Sequence, residues 1–376
     1  MKIVIIGTAH PYRGGIAAFN ERLVQQFLKE NHEAEIYTFT LQYPNFLFPG
    51  KTQFSKEIVP KDLKITRKVS SINPLNWIKV GIEIRKKNPD IVIIPYWMSF
   101  FAPCLGTIAA QIKKNKHTKI VGLVHNMIPH EPSLLDKIFP PYYVKNVDFF
   151  VSLSESVLVD IKKLDKKNKP KAFSPHPIYD HYGDLLPKIE AKKALNLDNG
   201  INYVLFFGFI RAYKGLDLLL EAFADERLKQ RPIKLLVAGE FYEDETTYLE
   251  IIKKNHLEDK ILLFNEFIPD NRVNIFFSAC DLVVQPYKAA TQSGVTQIAY
   301  YFEKPMIVTN VGGLAEIVPN GKCGFVVKPD AKEIANAITH YYNNGYESEF
   351  VENCKTEKKK YDWKNMTESI LKIGNP

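Results

Sequence analysis

Cysteine is scarce in this chain of 376 residues, and its spacing excludes two classes of small domain. The four cysteines lie far apart, and no Cys-x-x-Cys pair or Cys/His cluster with ligand spacing occurs. A disulfide-stapled scaffold and a zinc-finger-type site are therefore excluded, and the pattern fits a reducing compartment. The length predicts two domains, and a composition with 45% hydrophobic and 24% charged residues predicts globular folding.

Several catalytic motifs are missing as well. The sequence has no Gly-x-x-x-x-Gly-Lys-Ser/Thr loop, no Gly-x-Gly-x-x-Gly after a strand and no Gly-x-Ser-x-Gly elbow. These absences argue against a Walker-type ATPase, a nicotinamide-dependent enzyme and an esterase. Pro132 follows His130-Glu131 and excludes a helical metalloprotease motif. Because no Asp-x-Asp occurs, we predict no metal site, and a bound diphosphate would need side-chain cations and backbone N–H groups.

No apolar run is predicted to cross a membrane or to act as a signal peptide. The longest uncharged stretch, residues 91–112, is interrupted by Pro95 and Pro103, so a strand, an apolar loop and a helix explain it better. The first apolar run, residues 1–7, is too short for a signal peptide and leads into Gly and Pro residues. The predicted location is therefore cytoplasmic.

The positive charge is concentrated in one half of the chain. Residues 1–180 carry 26 Lys and Arg against 15 Asp and Glu, whereas residues 181–376 carry 24 against 27. This asymmetry predicts an anionic partner for the first half, which would be nucleic acid, anionic lipid or a phosphorylated substrate. Solubilising surface lysines explain the same counts equally well.

Short apolar segments of strand length alternate with segments of helical periodicity in both halves. This alternation predicts an α/β fold with two doubly wound parallel sheets. Residues 173–183, which contain two prolines, are predicted to link the halves. We therefore place Rossmann-like domains at residues 1–178 and 179–355, followed by a helical tail at 356–376. Tandem domains of this kind bind a ligand in the cleft between them, at the carboxyl ends of their strands.

One strand-to-helix loop of the second half carries two cations inside a glycine frame. Arg211 and Lys214 lie between Gly208 and Gly215, directly after a predicted strand. Arginine offers a bidentate fork to phosphate and lysine a point charge, so the loop predicts a diphosphate clamp. Two solvated surface cations are the alternative interpretation.

A second loop of the same half precedes an apolar helix. Gln292, Ser293, Gly294 and Val295 are predicted to begin that helix, where free backbone amides suit phosphate oxygens. Polar residues before an apolar helix also suit a plain N-cap, which needs no ligand.

Two candidates lie in the first half. Gly14 and Gly15 follow the first strand and precede a helix, so the backbone there can approach an anion closely. A simple turn explains the same pair. His125 follows a later strand at its carboxyl end, where it would face the predicted cleft, although a single histidine is often structural.

Taken together and in this order, these residues resemble the nucleotide-sugar glycosyltransferases of the GT-B fold, specifically glycosyltransferase family 4. The resemblance covers the whole chain and is carried by Gly14-Gly15, His125, Gly208, Arg211, Lys214-Gly215, Gly294, the segment 304–313 and Glu316. It implies an N-terminal domain that binds the acceptor, a C-terminal domain that binds the nucleotide, and a final helix that packs back on the first domain. It also implies a retaining, metal-independent reaction.

The resemblance implies a role for each candidate. Arg211, Lys214 and the amides of residues 292–295 would bind the donor diphosphate and stabilise it as the leaving group. His125 would contact the donor sugar or its developing charge, and the two glycines of the first loop would let that domain close over the phosphates. No protein base is implied, because a donor phosphate oxygen assists deprotonation of the acceptor.

The chain departs from the family pattern at one place. The family usually carries two glutamates separated by seven residues, and this chain has Ala290 and Ile298 there when Pro305 is aligned. The second glutamate usually binds ribose hydroxyls. Gln297 is the neighbouring candidate for those hydrogen bonds, although an offset of one residue turns a helical side chain by about 100°.

The sequence thus predicts a glycosyltransferase that moves a sugar from a UDP- or GDP-linked donor to a saccharide or lipid-linked saccharide in cell-surface polysaccharide biosynthesis. It predicts no cofactor and no nucleic-acid partner. A nucleotide-sugar epimerase and a catalytically degenerate nucleotide-sugar-binding protein are the alternatives. The apolar loop at residues 96–101, set in the basic half, predicts peripheral docking on an anionic membrane face.

Overall fold

The structure, a computed structural model, describes residues 1–44, 52–55, 61–128, 135–290 and 293–374 of the chain. The chain forms two compact units. The first comprises Met1–His176 together with Trp363–Pro376, and the second comprises Pro177–Asp362. The sequence placed domain boundaries at residues 178 and 355. These boundaries stay a prediction.

Strands occur in both units at the apolar segments. They are β1 (Lys2–Ile6), β2 (Glu33–Leu41), β3 (Ile65–Ser70), β4 (Ile91–Tyr96), β5 (Lys119–Val124), β6 (Phe149–Ser152), β7 (Lys171–Phe173), β8 (Asn202–Phe207), β9 (Ile233–Ala238), β10 (Ile261–Phe264), β11 (Leu282–Gln285), β12 (Met306–Thr309) and β13 (Gly324–Val327).

Helices connect most of these strands. They are α1 (Gly15–Lys29), α2 (Pro74–Lys87), α3 (Ala102–Ile112), α4 (Leu135–Ile138), α5 (Pro140–Asn146), α6 (Glu155–Leu164), α7 (Lys188–Ala194), α8 (Leu216–Phe223), α9 (Glu226–Lys229), α10 (Thr246–Lys254), α11 (Asp270–Ala279), α12 (Gly294–Tyr301), α13 (Leu314–Ile317), α14 (Ala331–Asn343), α15 (Glu347–Glu357) and α16 (Trp363–Gly374).

Each unit is built around one parallel sheet. Within the described residues, the first sheet has the order β3-β2-β1-β4-β5-β6-β7 and the second has the order β10-β9-β8-β11-β12-β13. The winding direction reverses between β1 and β4 and again between β8 and β11, which are the switch points where α/β sheets bind ligands. This topology confirms the predicted α/β class with two doubly wound parallel sheets.

The long uncharged stretch folds as the sequence predicts. Residues Ile91–Tyr96 form β4, which is buried along its whole length, and a 3-10 turn at Ser99–Phe101 leads into α3. A strand with neighbours on both sides and covered faces needs apolar residues at every position, which explains the unbroken run. No helix in the described part of the chain is long and apolar enough to cross a membrane.

Helix α2 has clear start and stop signals. The Asn73 side chain caps its first turn by accepting a hydrogen bond from the Asn76 amide at 3.2 Å, and Pro74 occupies the first helical position. Asn88 ends the helix in the left-handed conformation, with φ of 50°. Both ends of the helix are therefore fixed by capping residues.

The final helix returns to the first unit, as the resemblance implied. Helix α16 contacts α1 and strands β5, β6 and β7. The Trp363 ring centroid lies 5.0 Å from that of Phe19, and the Thr367 hydroxyl donates a hydrogen bond to the Glu30 carboxylate at 2.8 Å. The C-terminal segment is thus part of the first unit's core.

Candidate active site

The two candidate phosphate loops of the second unit lie against each other. Gly215 has φ of 69°, and a β-carbon built on it would lie 2.0 Å from the Pro286 carbonyl oxygen. The Lys288 amide donates a hydrogen bond to the Tyr213 carbonyl at 2.7 Å, which joins the same two loops. Only glycine fits position 215, so the Lys-Gly pair of the sequence has a packing reason.

Lys214 holds its ammonium group inside this loop pair. A β-carbon at Gly208 would lie 3.1 Å from Lys214 Nζ, and the Nζ atom lies 5.5 Å from the Tyr287 ring centroid. Removal from water, followed by the positive charge of Arg211, lowers the pKa of Lys214 to about 8. Among the described residues, no carboxylate forms an ion pair with Lys214. A desolvated cation without a counter-ion suits an anionic ligand.

Arg211 lies in the same loop as Lys214. Its backbone is extended, with φ of −142°, and it starts the 3-10 turn Ala212–Lys214. Its guanidinium carbon lies 5.2 Å from the Tyr242 ring centroid, and no carboxylate of the described ranges pairs with it. The structure therefore brings the two predicted clamp cations together at the carboxyl end of β8, where the sheet reverses its winding.

The start of α12 is a side-chain N-cap. Ser293 Oγ accepts a hydrogen bond from the Val295 amide at 3.2 Å and lies 3.2 Å from the Tyr287 hydroxyl. The Val295 amide therefore has an internal acceptor, which favours the plain capping interpretation for these two residues. Gly294 is the first helical residue, and its amide has no acceptor in the described part of the chain. Gln292 lies outside the described residues.

The positions that depart from the family pattern are buried. Ile298 is 5% exposed and Ala290 is 8% exposed. Gln297 is fully buried, and within the residues described here neither atom of its side-chain amide has a hydrogen-bond partner. A ribose would reach Gln297 only after a rearrangement of its surroundings, so its predicted ribose contact stays a prediction.

The first unit holds the remaining candidates around α1. Gly14 caps this helix with φ of 115° and ψ of 169°, a conformation that residues with a β-carbon rarely adopt. Gly15 is the exposed first residue of the helix. Phe19, one turn further on, packs edge-on against His125 with ring centroids 4.9 Å apart. The helix therefore links the two glycines to the histidine.

His125 is a buried, neutral histidine. It directly follows β5, and its amide donates a hydrogen bond to the Tyr96 carbonyl at 2.9 Å. Burial, with a further contribution from His176, lowers the pKa of His125 to about 3. The imidazole is therefore uncharged near neutral pH, so it can exchange hydrogen bonds with a sugar but cannot supply a positive charge.

The apolar loop after β4 is part of the core. Phe101 is fully buried, with its ring centroid 5.4 Å from that of Phe39. Trp97 Nε1 donates a hydrogen bond to the Tyr43 hydroxyl at 2.8 Å, and Phe100 packs on the same cluster. Phe101 is therefore unavailable to a membrane, whereas Trp97 and Phe100 are half-buried against the core, so the predicted membrane contact of this loop stays a prediction.

Sequence reasoning missed one residue that lies beside the predicted diphosphate clamp. Tyr287 lies beneath the Lys214 ammonium and beside Ser293, so it joins the two phosphate loops through its ring and its hydroxyl. The sequence contained one indication of this role: Tyr287 is an aromatic residue two positions after a buried strand, in a loop that was predicted to bind phosphate.

Comparisons with known proteins cover both units. Residues 187–361 match the family model described as glycosyl transferases group 1. An uncharacterised glycosyltransferase of Methanocaldococcus jannaschii is 24% identical over 99% of this chain and 97% of its own length. The N-acetyl-alpha-D-glucosaminyl L-malate synthase of Bacillus anthracis is 23% identical over 87% of this chain and 84% of its own. The capsular polysaccharide biosynthesis glycosyltransferase CapM of Staphylococcus aureus is 32% identical over 42% of this chain and 40% of its own length.

Solved structures share the architecture of the whole chain. The sucrose-phosphate synthase of Thermosynechococcus elongatus superposes with a TM-score of 0.76 and 16% identity, over 99% of this chain and 98% of its own. Anabaena HepE, solved in complex with UDP and glucose, superposes with a TM-score of 0.74 and 14% identity over 99% of both chains. At these identities the likeness establishes a shared two-domain fold.

Proposed function

We propose that this protein, a glycosyltransferase with the GT-B fold, moves a sugar from a nucleotide-diphosphate donor to a saccharide or lipid-linked saccharide, with retention at the anomeric carbon. The observation that carries the proposal is the pair of cations, Arg211 and Lys214, at the carboxyl end of β8. Both lack a carboxylate partner in the described structure, and Lys214 is held largely out of water. An anionic donor provides the missing charge.

The clamp would act on the leaving group. As the bond between the anomeric carbon and the donor phosphate breaks, negative charge accumulates on the phosphate oxygen that leaves. Lys214 and Arg211 stabilise that charge more strongly than the charge of the intact donor, which lowers the barrier. The Gly294 amide at the start of α12 adds a neutral donor on the neighbouring loop.

The first unit would position the sugar and the acceptor. Because burial keeps His125 neutral, its role is a hydrogen bond to the donor sugar. Gly14 lies directly before α1 and has no side chain. No described atom lies within 4 Å of the position that its β-carbon would occupy. That open position allows a phosphate to approach the backbone.

Metal independence is supported by the donor set of the chain, and retention by the resemblance to glycosyltransferase family 4. The sequence lacks Asp-x-Asp, and the clamp supplies positive charge from side chains. In the reaction that the resemblance implies, a donor phosphate oxygen assists deprotonation of the acceptor hydroxyl. The proton then goes to the diphosphate, the acceptor oxygen forms the new bond on the same face, and no protein carboxylate is needed.

A polysaccharide acceptor is supported by relatives of this chain. CapM of Staphylococcus aureus is named for capsular polysaccharide biosynthesis, and a matching Rhizobium meliloti protein is named as a lipopolysaccharide core mannosyltransferase. Both matches cover less than half of this chain, so they support the class of acceptor and leave the individual sugar open.

Product analysis tests the function. The protein is incubated with UDP- and GDP-linked sugars, with and without saccharide acceptors, and release of nucleoside diphosphate is followed together with the anomeric configuration of the product by NMR. We expect acceptor-dependent release and the donor's configuration in the product. An epimerised sugar released into water would favour the epimerase, and tight nucleotide binding without turnover would favour the degenerate binding protein.

We further propose that the acceptor is met at an anionic membrane surface, through the outer face of α2 rather than the loop after β4. Leu75 is 69% exposed and Ile78 is 38% exposed, and with the half-buried Ile82 they form one stripe at helical spacing. Lys79 and Lys86 lie on the same side of the helix and form no ion pair within the described residues. An apolar stripe flanked by unpaired lysines matches an anionic bilayer interface.

Co-sedimentation with vesicles tests this docking face. The protein should pellet with phosphatidylglycerol-containing vesicles at low salt, less so as salt rises, and least after Leu75→Ser with Lys79→Glu. Val159→Ser serves as the matched control because Val159 is 49% exposed on α6, outside the stripe. A protein that stays in the supernatant with anionic vesicles at low salt would show that the acceptor is soluble.

A further inference from the structure

Two of the four cysteines meet inside the second unit, although they lie 31 positions apart in the chain. Cys323 directly precedes β13, and Cys354 belongs to α15. The Cys354 sulfur lies 3.9 Å from the Cys323 carbonyl oxygen, and its thiol donates a hydrogen bond to the Cys323 sulfur. The two side chains, here called the thiol pair, are therefore direct neighbours.

The contacts around the thiol pair hold it in a fixed register. Asn353 Nδ2 donates a hydrogen bond to the Lys322 carbonyl at 3.0 Å, so the residues that precede the two cysteines are also joined. The Cys354 sulfur lies 3.6 Å from the Lys304 carbonyl oxygen, just before β12. Helix α15 thus holds one thiol over the amino-terminal ends of two neighbouring strands, beside the other thiol.

The two thiols of the pair differ in acidity. The hydrogen bond from Cys354 lowers the pKa of the Cys323 thiol, whereas the same bond, together with burial, raises the pKa of the Cys354 thiol. The thiolate is the form of cysteine that attacks an oxidant. These directions favour Cys323 as the attacking sulfur and Cys354 as the sulfur that resolves the product.

We propose that Cys323 and Cys354 are a reversible oxidation site, at which a peroxide converts the two thiols into a disulfide. The Cys323 thiolate attacks one peroxide oxygen, the O–O bond breaks, and a sulfenic acid and hydroxide result. The hydroxide takes up the proton that Cys323 lost and becomes water. The Cys354 sulfur then attacks the Cys323 sulfur, the S–O bond breaks, and a second water leaves with the Cys354 proton.

Hydrogen peroxide is thus reduced to two waters while the two thiols are oxidised to one disulfide. A dithiol such as dithiothreitol reopens the bond by thiol–disulfide exchange and is itself oxidised to a disulfide. The pair consequently stays reduced where thiol reductants dominate and closes when peroxide is present.

The turn before Cys323 gives a small oxidant its route to the pair. Residues 320–322 are exposed, although both cysteines are buried. Local opening of this turn uncovers Cys323 without unfolding the sheet, because the turn lies outside the strands. Since β13 is the last strand of the second sheet, the disulfide braces α15 on the edge of that sheet.

Thiol counting and peptide mapping on the full chain test the proposal. The reduced protein is treated with hydrogen peroxide, free thiols are blocked with iodoacetamide in denaturant, and a digest is mapped under non-reducing conditions. We expect the loss of two of the four thiols, a linked peptide that contains Cys323 and Cys354, and full recovery with dithiothreitol. Because a disulfide constrains the unfolded chain, the melting temperature should rise by about 5 °C or more on oxidation.

Serine variants of the pair separate its two roles. After peroxide treatment, Cys354→Ser should carry a sulfenic acid on Cys323 that dimedone traps, whereas Cys323→Ser should remain largely unlabelled. Serine has nearly the size of cysteine, so both variants should fold, and the melting temperatures of the reduced proteins check this. Neither variant should show the rise in melting temperature on oxidation.

The other two cysteines provide matched controls. The Cys104 thiol donates to the Ser70 carbonyl at 3.7 Å and the Cys280 thiol to the Phe277 carbonyl at 3.3 Å. Burial raises the pKa of both thiols, that of Cys280 to about 12. Cys104→Ser and Cys280→Ser should therefore each still lose two thiols and form the linked peptide.

Three results would contradict the proposal. Retention of all four thiols in the folded protein after peroxide treatment would overturn the oxidation site, and so would a linked peptide from another pair of cysteines or a disulfide-linked dimer. Equal dimedone labelling of the two serine variants would overturn the assignment of Cys323 as the attacking sulfur. A linked peptide with an unchanged or lower melting temperature would show that the bond does not brace α15.

Discussion

Gly215 lies so close to Pro286 that a β-carbon on Gly215 would be 2.0 Å from the Pro286 carbonyl oxygen, so the two phosphate loops touch at this point. The contact sets the distance between the loop that carries Arg211 and Lys214 and the loop that leads into α12. The geometry of the clamp therefore depends on an atom that position 215 lacks.

Gly215→Ala should destabilise the second unit and reduce activity. The new methyl group would overlap the Pro286 carbonyl, and the φ of 69° already disfavours a residue with a β-carbon. We expect a loss of more than about 2 kcal/mol in the free energy of unfolding, measured by denaturant titration, because backbone strain and overlap add.

Gly321→Ala is the matched control for backbone strain alone. Gly321 has φ of 74°, but among the described residues no atom beyond its two chain neighbours lies within 4 Å of its missing β-carbon. Its substitution should cost only about 1 kcal/mol, the typical price of a left-handed residue. Equal losses in the two variants would contradict a special role for the contact with Pro286.

Arg211→Ala and Lys214→Ala should each reduce kcat/KM strongly. Loss of a preorganised charge contact to the leaving group costs about 2–4 kcal/mol of transition-state stabilisation, which corresponds to roughly 30- to 1000-fold in rate. Lys288→Ala is the control, because Lys288 lies beside the same loops and is already neutralised by Asp217. Activity within threefold of the wild type in both clamp variants would refute the clamp.

The pKa of Lys214, lowered to about 8, predicts a specific pH profile. Below this pH the ammonium is charged and binds the donor, and above it the free enzyme loses that charge, so kcat/KM should fall as pH rises through about 8. Lys214→Arg keeps the charge at all accessible pH values and should move the fall to higher pH. An unchanged profile in Lys214→Arg would assign the fall to another group.

The lowered pKa of Lys214 also affects stability, and here the expected change with rising pH is an increase, whereas kcat/KM is expected to fall. Since the folded pKa of Lys214 is about 8 and its ordinary value is 10.5, the unfolded chain binds more protons between these two values. The contribution of Lys214 to the free energy of unfolding therefore rises with pH across this window. We expect thermal unfolding between pH 7 and 10.5 to show this rise. As pH increases, the melting temperature of the wild type should rise relative to that of Lys214→Met.

His125→Ala should reduce kcat, whereas His176→Ala should not. The two histidines share one buried cluster against Phe19, with ring centroids at 4.9 Å from it in both cases, so their removal should lower the melting temperature similarly. His125 directly follows the central strand β5, whereas His176 lies three residues beyond the edge strand β7. Steady-state kinetics of the two variants test this prediction. Equal kcat values would show that His125 has only a structural role.

His125 also predicts a loss of stability in acid. Its pKa is about 3 in the folded state and 6.5 ordinarily, so the unfolded chain binds more protons as pH falls below 6.5. The stability contributed by this neutral imidazole is lost progressively between these two values. The His125→Asn variant should show a smaller drop in melting temperature between pH 7 and 5 than the wild type does.

Chelation should leave turnover largely intact. The clamp draws its positive charge from Arg211 and Lys214, and the sequence has no Asp-x-Asp to hold a metal on the diphosphate. Rates measured in EDTA should therefore match those measured in Mg²⁺. Complete loss of activity in the chelator, restored by Mg²⁺, would show that a metal ion assists the leaving group.

The fold and the position of the clamp could be read from local sequence. Alternating strand and helix periods specify two parallel sheets, because a strand covered by helices must be apolar on both faces. Glycine at 208 and 215 marks places where the chain turns or approaches another backbone, and cations between them predict an anion site. These signals lie within a few residues of one another, so no knowledge of distant contacts is needed.

Burial and pairing were decided by the tertiary structure. The loop after β4 carries aromatic residues that any local pattern assigns to an interface, yet Phe39 and Tyr43, distant in sequence, cover Phe101. Conversely, Leu75 and Ile78 belong to an ordinary amphipathic helix in the sequence and are exposed in the fold. Phe209, Tyr242 and Phe267 form one aromatic cluster although they come from three separate loops. Such relationships depend on which strands are neighbours, and the order of strands in a sheet is set by packing between elements that the chain order alone does not specify.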